Sequence, residues 1–272
     1  MSGRLGIYSQ AGNISSIDPD AQAYITAGSI TNATEIAAIN QMFLDLKGTG
    51  STTNNSNIYS KFLALYLMSP TSLAAAAINA VTPSTYDITW YNSPTQSVNG
   101  VVGNGSNQYG DTGINAFADL ISNNCGITVS INNTNTVGGN DVGVRDGSSK
   151  AFELAIFNNT YRPRIQTATL VHQMIDSTSP FDNVHTALRR GANDAEYYLN
   201  GISAQTNTTT SGTLPNGNIF LMAENIVGFG PNGLSARQFN TSAIHQGMSG
   251  NEVKDLYDAI TTYNSNVISG GR

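Results

Sequence analysis

Glu196-Tyr-Tyr-Leu-Asn-Gly-Ile-Ser-Ala204 decides the architecture of this chain. Tyr197-Tyr-Leu199 and Ile202-Ser-Ala204 are short runs on either side of Asn200-Gly201. A two-residue type I′ turn needs both central residues at positive φ, and Asn followed by Gly meets that demand. The stretch therefore reads as a β-hairpin. Outward from it, Tyr86–Trp90, Gly126–Asn132, Phe152–Phe157, Arg164–Leu170, Asn183–Leu188 and Asn218–Leu221 are further short runs, several rich in Thr, Ile or Tyr. Asn-Gly, Gly-Gly and Asn-Asn clusters separate them. Many short strands with turn signals every ~8–12 residues predict an antiparallel β-sandwich.

Before residue 80 the reading is helical. Asp18-Pro19 supplies an N-cap and a first-turn proline, and Gly28 closes a helix over 21–27. Asn32 and Glu35 are spaced as a capping box for a helix whose apolar face is Ile36, Ile39, Phe43 and Leu46. Tyr59 to Ser69 is expected to be a third helix, ended by Pro70. A last helix is expected over Asn251–Tyr263, with Val253, Leu256, Tyr257 and Ile260 on its apolar stripe and Ser249 to Glu252 as its capping box. The expected organisation is an N-terminal docking arm (1–16), a helical region (17–75) and a sandwich ending in a helix (80–268).

Composition narrows the function. The chain has 272 residues, 12 Lys+Arg against 18 Asp+Glu, and a net charge of −6. An acidic balance argues against nucleic acid, whose binding needs basic patches that release counterions. Charged residues are 11% of the chain, where an average domain has about 25%. The surface is therefore neutral-polar. The longest apolar stretch, Phe62–Met68, is far below the ~20 residues of a membrane span. No apolar run of signal-peptide length stands near the start. One cysteine, Cys125, excludes a disulfide framework and reads as a buried thiol.

Acid–base catalysis needs two carboxylates converging on a substrate. Glu35 and Glu252 are accounted for by capping. Glu153 and Glu196 lie in expected strands, but no Glu-x-Asp-x-x-Glu cluster accompanies them. No catalytic residue is assigned, and the chain is expected not to be an enzyme. His172, His185 and His245 are too scattered for a metal site. Asp141, Asp146, Asn158, Asn159 and the loop 132–140 offer oxygen ligands that keep Ca2+ open as an alternative, although turn chemistry accounts for such residues as well. No other cofactor is expected. For sugar stacking, Trp90 and Tyr161 are the candidate rings. Trp90 also suits the core, and Tyr161 is the ring expected to be exposed.

Asp18-Pro-Asp-Ala-Gln-Ala-Tyr24 and Ile39-Asn-Gln-Met-Phe-Leu-Asp-Leu-Lys47 together resemble a helical segment of phage structural proteins that precedes a concanavalin A-like (LamG-type) jelly roll. Asn104–Thr112 resembles the early strand pair of that domain, and Tyr197–Gly201 its central hairpin. Phe229–Arg237 is similar to its closing strands, and Met248–Tyr257 to its terminal helix. The resemblance implies a bacteriophage virion protein with a lectin-like fold. It would be a capsid decoration, head fibre or tail accessory, carried in many copies or as a homo-oligomer, with other virion proteins as partners and neither nucleic acid nor membrane. The alternative is a carbohydrate-binding adhesin of the virion that meets a host-surface glycan. A glycoside hydrolase is the third reading and lacks the family's catalytic acids. No galectin-type His-x-Asn-x-Arg run is present, so no sugar-binding residue carries over.

Overall fold

A computed structural model describes residues 16–50, 56–68, 71–132, 139–147, 150–157, 160–167, 174–175 and 183–269. The expected docking arm, residue 16 apart, lies outside the described residues. In chain order the elements begin with α1 (Pro19–Ala27), α2 (Ala33–Leu46), β1 (Phe62–Leu67), α3 (Leu73–Ala77), β2 (Thr89–Tyr91), β3 (Thr95–Ser97) and β4 (Gly100–Val102). Next come β5 (Tyr109–Asn115), α4 (Ala116–Asp119), β6 (Cys125–Ile131), β7 (Gly139–Asp146), β8 (Lys150–Phe157) and β9 (Thr160–Thr167). β10 (Met174–Ile175), β11 (Val184–Gly191), β12 (Asp194–Leu199) and β13 (Ile202–Asn207) follow. β14 (Asn218–Leu221), β15 (Glu224–Ile226), β16 (Gly230–Asn232), β17 (Gln238–His245) and α5 (Gly250–Ser269) complete the order.

The strands form two sheets, as the hairpin reading requires. The first runs β13-β12-β11-β6-β17-β4-β3, with β1 also paired to β17. The second runs β10-β9-β8-β7-β14-β5-β2, and the β15–β16 hairpin attaches to β7. Pairing is antiparallel except between β15 and β7. The expected antiparallel, jelly-roll-like sandwich with a C-terminal helix is the fold that forms. Asn200 (φ 52°) and Gly201 (φ 73°) both take positive φ between the paired residues Leu199 and Ile202. That is the turn their sequence asks for.

Two cores stack. Ile127, Val129, Phe152, Leu154, Leu221 and Ile244 fill the space between the sheets. Ile39, Phe43, Leu65, Leu188, Leu256 and Ile260 belong to a second core between the first sheet and the helices. The central strands of the first sheet, β6, β11 and β17, are thus buried on both faces, while its edge strands β13 and β3 are exposed or half-buried. The helix caps follow local chemistry: Asp18 accepts from Asp20 N and Ala21 N, and Asn32 from Glu35 N. Ser249 and Glu252 close a reciprocal box.

Two expectations are corrected. Tyr59–Ser69 is not a helix: a single 3-10 turn, Tyr59–Lys61, leads into β1. Ala64 and Tyr66 face the inter-sheet core while Leu65 and Leu67 face the helices. A strand apolar on both faces loses its period of two and mimics a buried helix in sequence. β1 therefore brings part of the expected helical region into the sandwich. Glu35 does not return to its own N-cap. Its buried carboxylate accepts from Thr71 N (3.2 Å) and Thr71 Oγ1 (2.9 Å), tying α2 to the chain before α3.

Candidate functional site

Strand alternation builds the site on the outer face of the second sheet. Val142, Val144, Phe152, Leu154 and Ile165 point into the inter-sheet core. Their neighbours Gly143, Arg145, Glu153, Arg162 and Arg164 therefore point the other way. Register sets Asp111, Phe220, Gly143, Glu153 and Arg164 in one row across β5, β14, β7, β8 and β9. Gly143 is needed in that row, because a Cβ there would collide with Glu153 Cβ. On the β5 side, Tyr109 lies 4.8 Å from Phe220 and stacks on Tyr91 at 4.5 Å, centroid to centroid. On the β9 side, a depression of about 240 Å³ opens, walled by Asn140, Arg145, Glu153, Arg162, Arg164 and Glu224, with Asn232 at its rim.

Two carboxyl groups and their arginines organise this depression. Arg145 grips Glu224 with a fork: Nε donates to Oε1 at 2.7 Å and Nη2 to Oε2 at 3.1 Å. Asn140 and Asn232 add amide donors to Oε2 at 3.3 and 3.4 Å. Arg164 Nη1 lies 3.0 Å from Glu153 Oε1. Glu153 Oε2 is buried and meets no N–H or O–H donor. Burial first, and then Glu224, push Glu153 well above the usual carboxylate range, against Arg164 and Arg145. Burial would raise Glu224 as well. The neighbouring Glu153 and Arg145 side chains outweigh it and hold Glu224 below its ordinary value. Of the two carboxyls, Glu153 is thus the one that holds a proton more readily and Glu224 the one that holds charge more readily.

A second, open groove of about 590 Å³ shares Arg145 and Asn232 with the depression. Ile226, Pro231 and Phe229 line it, and Phe229 is 90% exposed at the tip of the β15–β16 hairpin. The combined surface offers guanidinium and amide donors, carboxylate acceptors and an apolar ring.

Of the residues singled out from sequence, Glu153 and Asn140 stand in this depression, while the candidate rings and most candidate metal ligands lie elsewhere. Trp90 is half-buried against the inter-sheet core, and its Nε1 donates to Leu73 O at 3.1 Å. It lies on β2 at one edge of the second sheet, whereas Tyr161 lies on β9 beside the opposite edge strand, β10. Among the candidate calcium ligands, Asp141 is wholly buried, held by Arg237 Nη1 at 2.5 Å and Ser235 Oγ at 3.0 Å. Asp146 pairs with Lys150. Asn158, Asn159 and residues 133–138 lie outside the described residues, as does His172. His185 Nδ1 bonds Tyr197 OH at 2.8 Å, and His245 Nε2 bonds Thr128 Oγ1 at 2.9 Å. Burial lowers His245 to about 4, so its imidazole is neutral. Burial pushes the Cys125 thiol up to about 12. Glu196, the other strand-borne acid, is taken up by Arg190, Tyr198 and Ser203. Arg145, Arg162, Arg164, Glu224 and Asn232 were not anticipated. The available signal was Arg162-Pro-Arg164, two arginines on one face of a strand in a chain poor in charge.

No protein-family model matches the chain, and no curated protein matches it in sequence. Solved structures do share its fold. One is a Trypanosoma rangeli sialidase mutant displaying trans-sialidase activity, at 13% identity and a TM-score of 0.56. It matches over 88% of this chain and 39% of its own length. Trypanosoma rangeli sialidase in complex with sialic acid matches at 11% identity and a TM-score of 0.50, over 82% of this chain and 38% of its own. Domain 4 of an extracellular arabinanase from Geobacillus stearothermophilus, solved with arabinotriose, matches at 12% identity and 0.46, over 72% of this chain and 98% of that one. The chain thus spans well under half the length of the sialidases it matches. The shared property is the β-sandwich. The expectation that this chain is not an enzyme is corrected at that level, because structures that share its fold include sialidases. At these identities a fold relation to enzymes is what is established. None of these three neighbours is a phage particle protein.

Proposed function

We propose that the protein is a carbohydrate-binding β-sandwich module, and that the outer face of its second sheet is the binding surface. One observation carries this: the depression walled by Arg145, Glu153, Arg162, Arg164 and Glu224 runs through Arg145 and Asn232 into the groove beside the exposed Phe229. A sugar offers paired hydroxyls, which are met by forked donors and acceptors of fixed geometry, and a C–H face, which is met by an aromatic ring. Both kinds of group adjoin here. The fold shared with sialidase structures supports the reading as analogy.

Binding per site is expected in the range of about 1 mM to 1 µM, so the test uses multivalent display. The full chain, clustered on streptavidin, is screened against a broad glycan panel, and released reducing sugar is measured in the same wells. The expected result is a defined set of binders, weakened by Phe229→Ala and by Asn232→Ala. No binder at high valency contradicts the proposal. Carriage of the module on a phage particle, implied by the resemblance, is a separate proposal. Mass spectrometry of purified particles tests it through the ratio of this chain to the major capsid protein.

A further inference from the structure

Beyond the depression, the outer face of the second sheet continues as a run of aromatic rings. Gly143 on β7 lies between Phe220 on β14 and Glu153 on β8 and puts no side chain between them. Next to Phe220 stands Tyr109 on β5, and next to Tyr109 stands its cross-strand partner Tyr91 on β2. Both tyrosines face outward, because their chain neighbours Gly110 and Trp90 turn inward: a Cβ on Gly110 would strike Ile88 and Trp90. Tyr109 is held on two sides, 4.8 Å from Phe220 and 4.5 Å from Tyr91, and the two tyrosine planes are within 3° of parallel. Burial accounts for Phe220, which is 8% exposed. It does not account for Tyr91, which is 41% exposed on the last strand of the sheet. Tyr109 covers one face of the Tyr91 ring, and among the described residues no strand lies beyond the other. A short edge strand needs no such ring: β3, at one edge of the first sheet, is Thr95-Gln-Ser97. Two residues along β5 from Tyr109, Asp111 accepts from Asn218 Nδ2 at 3.1 Å and from Gly113 N at 2.8 Å, and a carboxylate has lone pairs left for a hydroxyl. A flat exposed ring with an acceptor nearby suits the C–H face and the hydroxyls of a sugar.

Four strand spacings separate β2 from β8, which walls the depression. At ~4.8 Å each they amount to roughly 19 Å, wider than a single sugar ring. Resting on the carbohydrate reading, we infer that the protein takes a linear glycan laid across the strands of the second sheet, with one unit in the depression at Arg145, Glu224 and Asn232 and a later unit stacked on Tyr91. Stacking against Tyr109 fixes the Tyr91 ring before the glycan arrives, so little rotamer freedom is lost on binding. Chain length, and not the end group alone, is then what the surface selects.

Size ladders separate this from recognition of one sugar. The full chain is titrated by calorimetry with cello-, laminari-, xylo- and arabino-oligosaccharides, from monomer to hexamer. The expected result is that affinity in at least one ladder climbs about tenfold or more from dimer to hexamer. Tyr91→Ala should flatten that climb, so that the hexamer binds within about threefold of the dimer. Tyr91→Phe keeps the ring and should keep the climb. Asn232→Ala, in the depression, should weaken every length. A climb that merely counts overlapping registers on a longer chain survives Tyr91→Ala and overturns the inference, and a climb lost in Tyr91→Phe as well overturns the stacking contact. Equal affinity along every ladder also overturns the inference, as does silence of all ladders beside binders of other kinds in the glycan screen. In each of these cases the carbohydrate reading stands. Silence of every ladder together with an empty screen overturns the carbohydrate reading itself.

Discussion

The two sheets present outer faces of opposite character. On the first sheet, Leu65, Leu188, Tyr198 and Ala243 look outward into a second apolar core, and α2 and α5 close over them. On the second sheet, the corresponding face carries Asp111, Arg145, Glu153 and Arg164, and no helix of the described residues packs on it. The strands differ little in length or pairing. What differs is the residue at every second position, and that choice decides whether a face recruits a helix or stays open. An open face still has to settle its buried charges. Here they are settled by pairing within the face: Arg145 with Glu224 and Arg164 with Glu153. The Asp141–Arg237 pair is the contrasting case, closed on all sides inside the sandwich and without room for a ligand.

This contrast can be broken by substitution. Leu65→Ala empties a wholly buried site under the helices and should cost about 2–5 kcal/mol in denaturant unfolding. Arg145→Met on the open face strips the fork from the buried Glu224 and should cost about 1–3 kcal/mol, because part of that site stays wet. Glu153→Gln should cost less than about 1 kcal/mol, since an amide keeps the carboxyl's shape and suits a position where burial favours the uncharged form. Phe229→Ser should leave stability within about 0.5 kcal/mol of the parent while weakening glycan capture. A large loss in either of the last two would place that side chain among the structural residues.

The raised Glu153 carboxyl adds a pH signature. Glu153 is faced by Arg145 from β7, Arg162 and Arg164 from β9, and Glu224 from β15. A carboxyl raised in the folded state holds its proton more tightly folded than unfolded. Stability should therefore decline as pH climbs from the ordinary Glu value of about 4.3 toward the raised value. Glu224, held low, acts in the opposite sense, and its contribution is lost as pH falls through its lowered value. In Glu153→Gln the decline on the alkaline side should vanish. Thermal melts across pH 4 to 9 check this, and an unchanged slope contradicts the raised Glu153 value.

Much of the fold was legible because it is encoded locally. Asn200-Gly201 fixes a turn by its own backbone preferences, and Asp18-Pro19 and Ser249–Glu252 fix helix starts by short-range hydrogen bonds. β1 was not legible, because Phe62–Leu67 is apolar on both sides and its period is set by two cores that form only in the folded chain. The site was hidden for a related reason. Glu153 could be recognised as a strand-borne acid, but its partners arrive from β7, β9 and β15 through topology, which no spacing in the chain records. Glycine at 143, which makes room for Glu153, is equally silent until β7 and β8 are paired. Trp90 is a candidate ring by type, but its ring packs, whereas the exposure of Phe229 depends on its place at a hairpin tip.

The most direct test of the central claim is a residue-by-residue map of amide chemical-shift changes in the full chain on titration with a glycan taken from the screen. The account predicts shifts confined to the second sheet and its β15–β16 hairpin, with the helix-covered sheet silent. Shifts centred instead on the amide-lined cleft formed by Asn132, Asn200, Asn240 and Asn264 beside α5 would contradict it.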